Sequence, residues 1–142
     1  MPLIGEDVAG QLREEFKQMK EPVRIAVFSQ ALADPASEQV RRMVEELAEL
    51  EPRLKVESAN FVLDKERVEA LGIKRIPALA VMGETEDYGI RLYGLPSGYE
   101  FGTFIDAILD VSRGESQLSD ETKAALAALD QSVHIQVFST PT

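Results

Sequence analysis

Few side chains in this sequence are equipped for chemistry. Asp34 and Ser37, separated by Pro35 and Ala36, put a carboxylate and a hydroxyl three residues apart. That spacing brings both onto the first turn of a helix, where an Asp can accept protons and a Ser can attack. Neither a partner base nor a metal ligand stands near them in the sequence. A capping Asp beside a hydroxyl is also what ordinary helices carry, so the structural role is the favoured reading of the pair. The chain contains no cysteine and one histidine, His134. Disulfides, thiolate nucleophiles and thiolate metal sites are therefore excluded, with most His-based metal sites and Ser-His-Asp designs. His134 alternates with Val133 and Ile135, far in sequence from any acid-rich loop, and reads as a structural or surface residue. The sequence calls for no metal and no cofactor.

The elements that must position these residues follow from periodicity. From Asp7 to Met19 the apolar residues Val8, Leu12, Phe16 and Met19 recur at helical spacing, and Pro22 closes the segment. Val23-Arg24-Ile25-Ala26-Val27-Phe28 is a short, β-branched, nearly continuous apolar run, suited to a strand buried on both faces. Asp34 is placed to cap the next helix and Pro35 to start it, where a missing N–H costs nothing; its stripe is Val40, Met43, Val44, Leu47 and Leu50. Leu54 to Phe61 reads as a second strand, and Lys65 to Leu71 as a short helix ended by Gly72. Two further strands, Ala78 to Met82 and Gly89 to Tyr93, flank the acidic turn Glu84-Thr85-Glu86-Asp87 as a hairpin. Tyr99 to Ser112 returns to helical spacing through Phe101, Phe104, Ile105, Ile108 and Leu109, positions that assign both phenylalanines to the core rather than to a ligand. The order is α-β-α-β-α-β-β-α.

Beyond Gly114 the pattern begins again. Ser119 can cap a helix running to about Leu129, and a strand is expected over Val133 to Phe138. Val133-His134-Ile135-Gln136-Val137-Phe138-Ser139 matches Val23-Arg24-Ile25-Ala26-Val27-Phe28-Ser29 at five of seven positions, at an offset of 110 residues. The chain divides on this reading into residues 1–114, a complete unit, and residues 115–142, the first helix and strand of a second. An apolar strand without its sheet is costly to expose, so it is expected to add to a sheet edge, such as Leu54 to Phe61, or to pair with another copy as a homodimer.

A length of 142 residues with 44% hydrophobic content suits one domain, which buries roughly two thirds of its unfolded surface. The net charge of −10 opposes binding to nucleic acid or anionic lipid. No basic, apolar leader opens the sequence and no stretch approaches a membrane span, so the expected location is cytoplasmic.

Three stretches carry a resemblance to a known family, the glutaredoxin-like protein disulfide oxidoreductases of thermophilic archaea and bacteria, which join two thioredoxin folds in tandem. Val23 to Phe28 resembles their central strand, and Leu71-Gly72-Ile73-Lys74-Arg75-Ile76-Pro77-Ala78 resembles the thioredoxin cis-proline segment. Tyr93-Gly94-Leu95-Pro96-Ser97-Gly98-Tyr99-Glu100-Phe101 resembles the Gly-Leu-Pro turn before the last helix, the most specific part of the match. The resemblance implies an α/β, thioredoxin-like fold with a central mixed four-stranded sheet flanked by helices, plus an extra C-terminal helix and strand from a second repeat. It places the family's Cys-x-x-Cys on Asp34-Pro35-Ala36-Ser37. Here the sequence departs from the family, because a carboxylate cannot form a mixed disulfide and Ser37 cannot resolve one.

The resemblance further implies that Ile76 and Pro77, with Asp34 and Ser37, rim a shallow groove able to hold a peptide without reacting with it. In relatives a Cys-Pro-Tyr-Cys follows Thr-Pro-Thr, which here is Thr140-Pro141-Thr142, so the chain is expected to be a piece of a longer oxidoreductase. Its expected role is a redox-inactive unit serving an active second unit, with a protein or peptide substrate; the alternative is a non-catalytic peptide-binding or docking module. The N-terminal domain of bacterial flavoprotein peroxiredoxin reductases is similar in pairing an inactive with an active thioredoxin fold.

Overall fold

A computed structural model of the protein describes residues 1–30 and 34–140. The elements in order are α1 (Glu6–Phe16), β1 (Val23–Ser29), α2 (Pro35–Leu50), β2 (Leu54–Asn60), α3 (Lys65–Ala70), β3 (Ala78–Gly83), β4 (Ile90–Tyr93), α4 (Tyr99–Arg113) and α5 (Asp120–Ala127). The four strands form one mixed sheet in the order β2-β1-β3-β4. β1 runs parallel to β2 and antiparallel to β3, and β3 and β4 form the hairpin.

Strand alternation divides the core in two. Val23, Ile25 and Val27 of β1, with Leu79 and Val81 of β3, face the larger cluster, where α1, α2 and α4 contribute Leu12, Phe16, Val40, Val44, Leu47, Phe104 and Ile108. The opposite face presents Ala26, Phe28, Ala78, Ala80 and Met82 to the short α3 and the segment after it, through Val68 and Ile73. Ala26, Ala78 and Ala80 let the short α3 and the segments around it lie close to that face, while three longer helices crowd the other. Ser112 ties α4 to the entry of β1: its hydroxyl donates to Glu21 O at 2.6 Å and accepts from Lys20 N at 2.9 Å. Arg53 closes the end of α1, donating to Met19 O at 2.7 Å and Phe16 O at 3.0 Å, steadied by Glu51 at 2.7 Å.

Two expectations need correction. Val8 is 42% exposed, and the buried stripe of α1 is Ala9, Leu12 and Phe16. The helix begins one residue earlier than its apolar pattern suggests, and Val8 stands on its flank rather than its inner face. The expected strand over residues 133–138 makes no ladder with any described residue, at the β2 edge or elsewhere, and Val133, Ile135, Val137 and Phe138 are 61–90% exposed. α5 forms as expected, with Ser119 Oγ accepting from Thr122 N at 3.2 Å, yet it buries none of its residues. A strand is completed only by a neighbour, and this segment has none among the described residues. Pro141 and Thr142, read above as the approach to a second motif, lie outside the described residues. No helix among the described residues is long and apolar enough to cross a membrane.

Candidate functional site

Sheet register decides which loops meet. Ser29 is paired with Asn60 across the parallel strands, and Phe28 with Ala78 across the antiparallel ones. The exit from β1 toward α2, the turn after β2 and the approach to β3 therefore converge at one end of the sheet. This is the carboxyl end of the parallel pair, where open α/β sheets place ligand sites. Phe61 N donates to Ser29 O at 2.8 Å and fastens two of these loops together.

Asp34 has extended backbone angles and caps α2, with Pro35 at the helix start. Its Oδ1 accepts from Ala36 N at 3.2 Å and its Oδ2 from the Ser37 hydroxyl at 2.5 Å. The Ser37 hydroxyl, ahead of the Ala36 and Ser37 amides, holds the Asp34 carboxyl below the usual carboxylate range, against a partial desolvation that pushes the other way. The pair is thus an ionised cap and a buried hydroxyl that spends its proton on that cap. Ser37 is only 3% exposed and offers no free nucleophile to solvent. One turn on, Arg41 donates to Glu38 at 2.6 Å and to Glu45 at 2.5 Å, bonds that raise its pKa further above its ordinary value. A polar cleft over this helix start is lined by Ser29, Gln30, Asp34, Pro35, Ser37, Glu38 and Arg41. It contains an acid held as a base of low strength, a spent hydroxyl and a paired guanidinium. Such a set can bind polar groups but supplies neither an electron pair donor of thiolate type nor a proton relay.

The Ile76–Pro77 peptide bond is cis. Pro77 is buried and its carbonyl accepts from Gly94 N at 2.9 Å, linking the segment to the turn after β4. Ile76 is half-buried against the smaller cluster, and its backbone amide and carbonyl make no hydrogen bond with any described residue. Neither Ile76 nor Pro77 lines the polar cleft. The same end of the sheet thus holds all four residues, but only Asp34 and Ile76 present side-chain surface; Ser37 and Pro77 are inside. Arg75 lies over the Tyr93 ring, 4.5 Å from its centroid, beside this segment. His134 is exposed, and of the two phenylalanines assigned to the core Phe104 is fully buried while Phe101 is half-buried.

The turn after β2 joins the site without having been expected there. Asn60 Oδ1 accepts from Val62 N at 2.9 Å and Leu63 N at 3.0 Å, while Asn60 N donates to Asp64 Oδ2 at 2.6 Å. These bonds hold the backbone of Val62 and Leu63, 46% and 80% exposed, in the turn that follows β2. Two apolar residues framed by Asn and Asp were the available signal, since such side chains close turns on their own backbone.

No family model matches the sequence. Among characterised proteins it is 23% identical over 129 residues to the F component of alkyl hydroperoxide reductase from Staphylococcus aureus, covering 89% of this chain and 23% of that protein. It is 30% identical over 125 residues to an NADH dehydrogenase of Ferdinandcohnia aciditolerans, covering 85% of this chain and 21% of that one. The chain thus spans about a quarter or less of the length of these relatives. Among solved structures, the NTD_N/C domain of the Enterococcus faecalis alkylhydroperoxide reductase superposes with a TM-score of 0.80 at 23% identity, covering 89% of this chain and 61% of the other. A protein disulfide oxidoreductase from Aeropyrum pernix gives 0.77 at 27% identity, covering 91% and 56%. The fold is thioredoxin-like, and the resemblance to the disulfide oxidoreductases extends over nearly the whole chain.

Proposed function

We propose that this chain is a redox-inactive thioredoxin-fold unit that supports thiol–disulfide exchange carried out by a second, cysteine-bearing unit. One observation carries the reading: at the helix start where the resembled family has Cys-x-x-Cys, Asp34 and Ser37 bond to each other as a cap. A helix N-terminus favours an anion there, and a carboxylate takes the place that a thiolate would hold. The charge is kept while the ability to accept a disulfide sulfur is lost. The much longer relatives named above leave room for the second unit in the whole protein.

An insulin-reduction assay with dithiothreitol tests this directly. The chain alone should leave the rate unchanged at any pH, and Asp34→Cys combined with Ser37→Cys should make it active, because both positions already sit on the first turn of α2. Acceleration by the unaltered chain, or silence from the double variant with its fold intact, would count against the reading.

A second reading, a non-catalytic peptide-binding module, is favoured by the half-buried Ile76, whose backbone amide and carbonyl make no hydrogen bond with any described residue. An extended peptide would add its own backbone to that free amide and carbonyl. Titrating reduced, alkylated insulin B chain should then shift the Ile76 and Leu63 amide resonances saturably. Shifts scattered over the surface would remove this reading and leave the first in place.

A further inference from the structure

The chain carries 25 acidic residues against 15 basic ones, so carboxylates are in excess. Arg24, Arg41, Arg53, Arg67, Arg91 and Arg113 are each held against one. Lys74 and Arg75, adjacent in sequence and both exposed, have no carboxylate within ion-pairing distance among the described residues. Their place makes this informative. They stand directly before Ile76, whose backbone amide and carbonyl bond to no described residue, and before the cis bond to Pro77.

Arg75 is also held in place. Its guanidinium lies over the Tyr93 ring, 4.5 Å from the centroid. The Tyr93 hydroxyl accepts from Lys74 N at 3.3 Å and donates to Gly72 O at 3.4 Å, so the ring is tied to the turn that carries Arg75. Tyr93 is tied to β3 as well, through its pairing with Ala78, and packs with Ile76 against the smaller cluster. The ring thus links Arg75 to the same piece of core that seats Ile76. No described residue accepts a hydrogen bond from the Arg75 guanidinium, whose planar fork of N–H donors matches a carboxylate. A side chain already positioned on a ring loses less freedom when a ligand binds it.

We infer that Arg75, with Lys74 beside it, selects extended peptides that carry an Asp or Glu close to the residue pairing with Ile76. The ligand class is a segment of a partner protein with an isolated carboxylate. This rests on the peptide-binding reading above and adds the choice that reading lacks, because backbone pairing gives affinity without reading side chains. Asp34 and Glu38, which line the polar cleft at the same end of the sheet, repel further negative charge. A uniform polyanion such as nucleic acid is therefore rejected where a single carboxylate is accepted.

The probes are acetyl-Thr-Val-Glu-Val-Thr-Val-amide and the same peptide with Gln in place of Glu, titrated into the isotopically labelled chain. Both should shift the Ile76 amide resonance saturably, the Glu peptide with a dissociation constant about fivefold lower. Arg75→Gln should erase that ratio and leave the Gln peptide's constant unchanged; the side chain is exposed, so circular dichroism should not move. Sodium chloride at about 0.5 M should bring the ratio toward one. Equal constants for the two peptides overturn the inference and leave the peptide-binding reading in place. A ratio that survives Arg75→Gln also overturns it, by placing the carboxylate elsewhere. So does displacement of the Glu peptide by a single-stranded oligonucleotide, which would mean a general anion site. Absence of a saturable Ile76 shift with either peptide removes the peptide-binding reading itself, and the inference with it.

Discussion

Residues 23–29 and 133–139 share five of seven side chains and have opposite fates. The first segment is the centre of the sheet, with β2 on one side, β3 on the other and Val23, Ile25, Ala26, Val27 and Phe28 no more than 1% exposed. The second has no ladder with any described residue, and Val133, Ile135, Val137 and Phe138 lie open to solvent. Strand propensity is nearly equal in the two, so propensity does not account for the difference. What the first has is a partner on each edge and a helix layer on each face; sheet propensity measures how well side chains fit such neighbours.

The sharpest way to break this comparison is to make the same truncation in both places. Phe28→Ala leaves a cavity in the fully packed smaller cluster and should cost roughly 3–5 kcal/mol of unfolding free energy. Phe138→Ala should stay within about 0.5 kcal/mol in dilute solution. Similar losses at the two positions, measured by urea titration, would mean that the terminal segment is packed after all.

A second contrast concerns two serines. Ser112→Ala strips a hydroxyl from the Lys20 amide and the Glu21 carbonyl and should destabilise by about 1–3 kcal/mol. Ser119→Ala should unwind α5 locally without moving the global transition, since nothing in that helix is buried. Circular dichroism read beside the unfolding curve separates the two outcomes.

Asp34→Ala should lower the thermal midpoint less than Phe28→Ala does, and in a pH-dependent way. The folded-state pKa of Asp34 lies below its unfolded value, so its contribution is fully present above the unfolded value of about 3.9 and is lost as pH falls through the lowered one. The gap between wild type and variant should therefore be constant at neutral pH and narrow below about pH 4. A gap that widened in acid would reverse the sign of the linkage and remove Asp34 as an ionised cap.

The smallest effect expected is on exchange rates alone. Amides 133–138 should exchange with deuterium at nearly unprotected rates in dilute solution while those of β1 require global unfolding. Protection of the terminal amides that grows with concentration would favour association over intrinsic order.

Much of this architecture was legible in the residues themselves. Helical spacing at Val40, Met43, Val44 and Leu47, the Asp34-Pro35 start and the continuous apolar run of β1 determined α2, its cap and the central strand, because periodicity, capping and local backbone limits act within a few residues. The missing cysteines determined that Asp34 and Ser37 could not repeat the chemistry of the family the chain resembles. Tertiary structure alone decided that Ser37 is buried and spends its proton on Asp34, that Pro77 lies inside while the Ile76 backbone bonds to no described residue, and that the turn after β2 is fastened to Ser29 at the end of β1. It also decided that Val8 stands on the flank of α1 instead of facing the core and that residues 133–138 are not a strand. Those outcomes depend on register between strands and on which surfaces have neighbours, and a sequence of side chains does not contain either until the chain has closed upon itself.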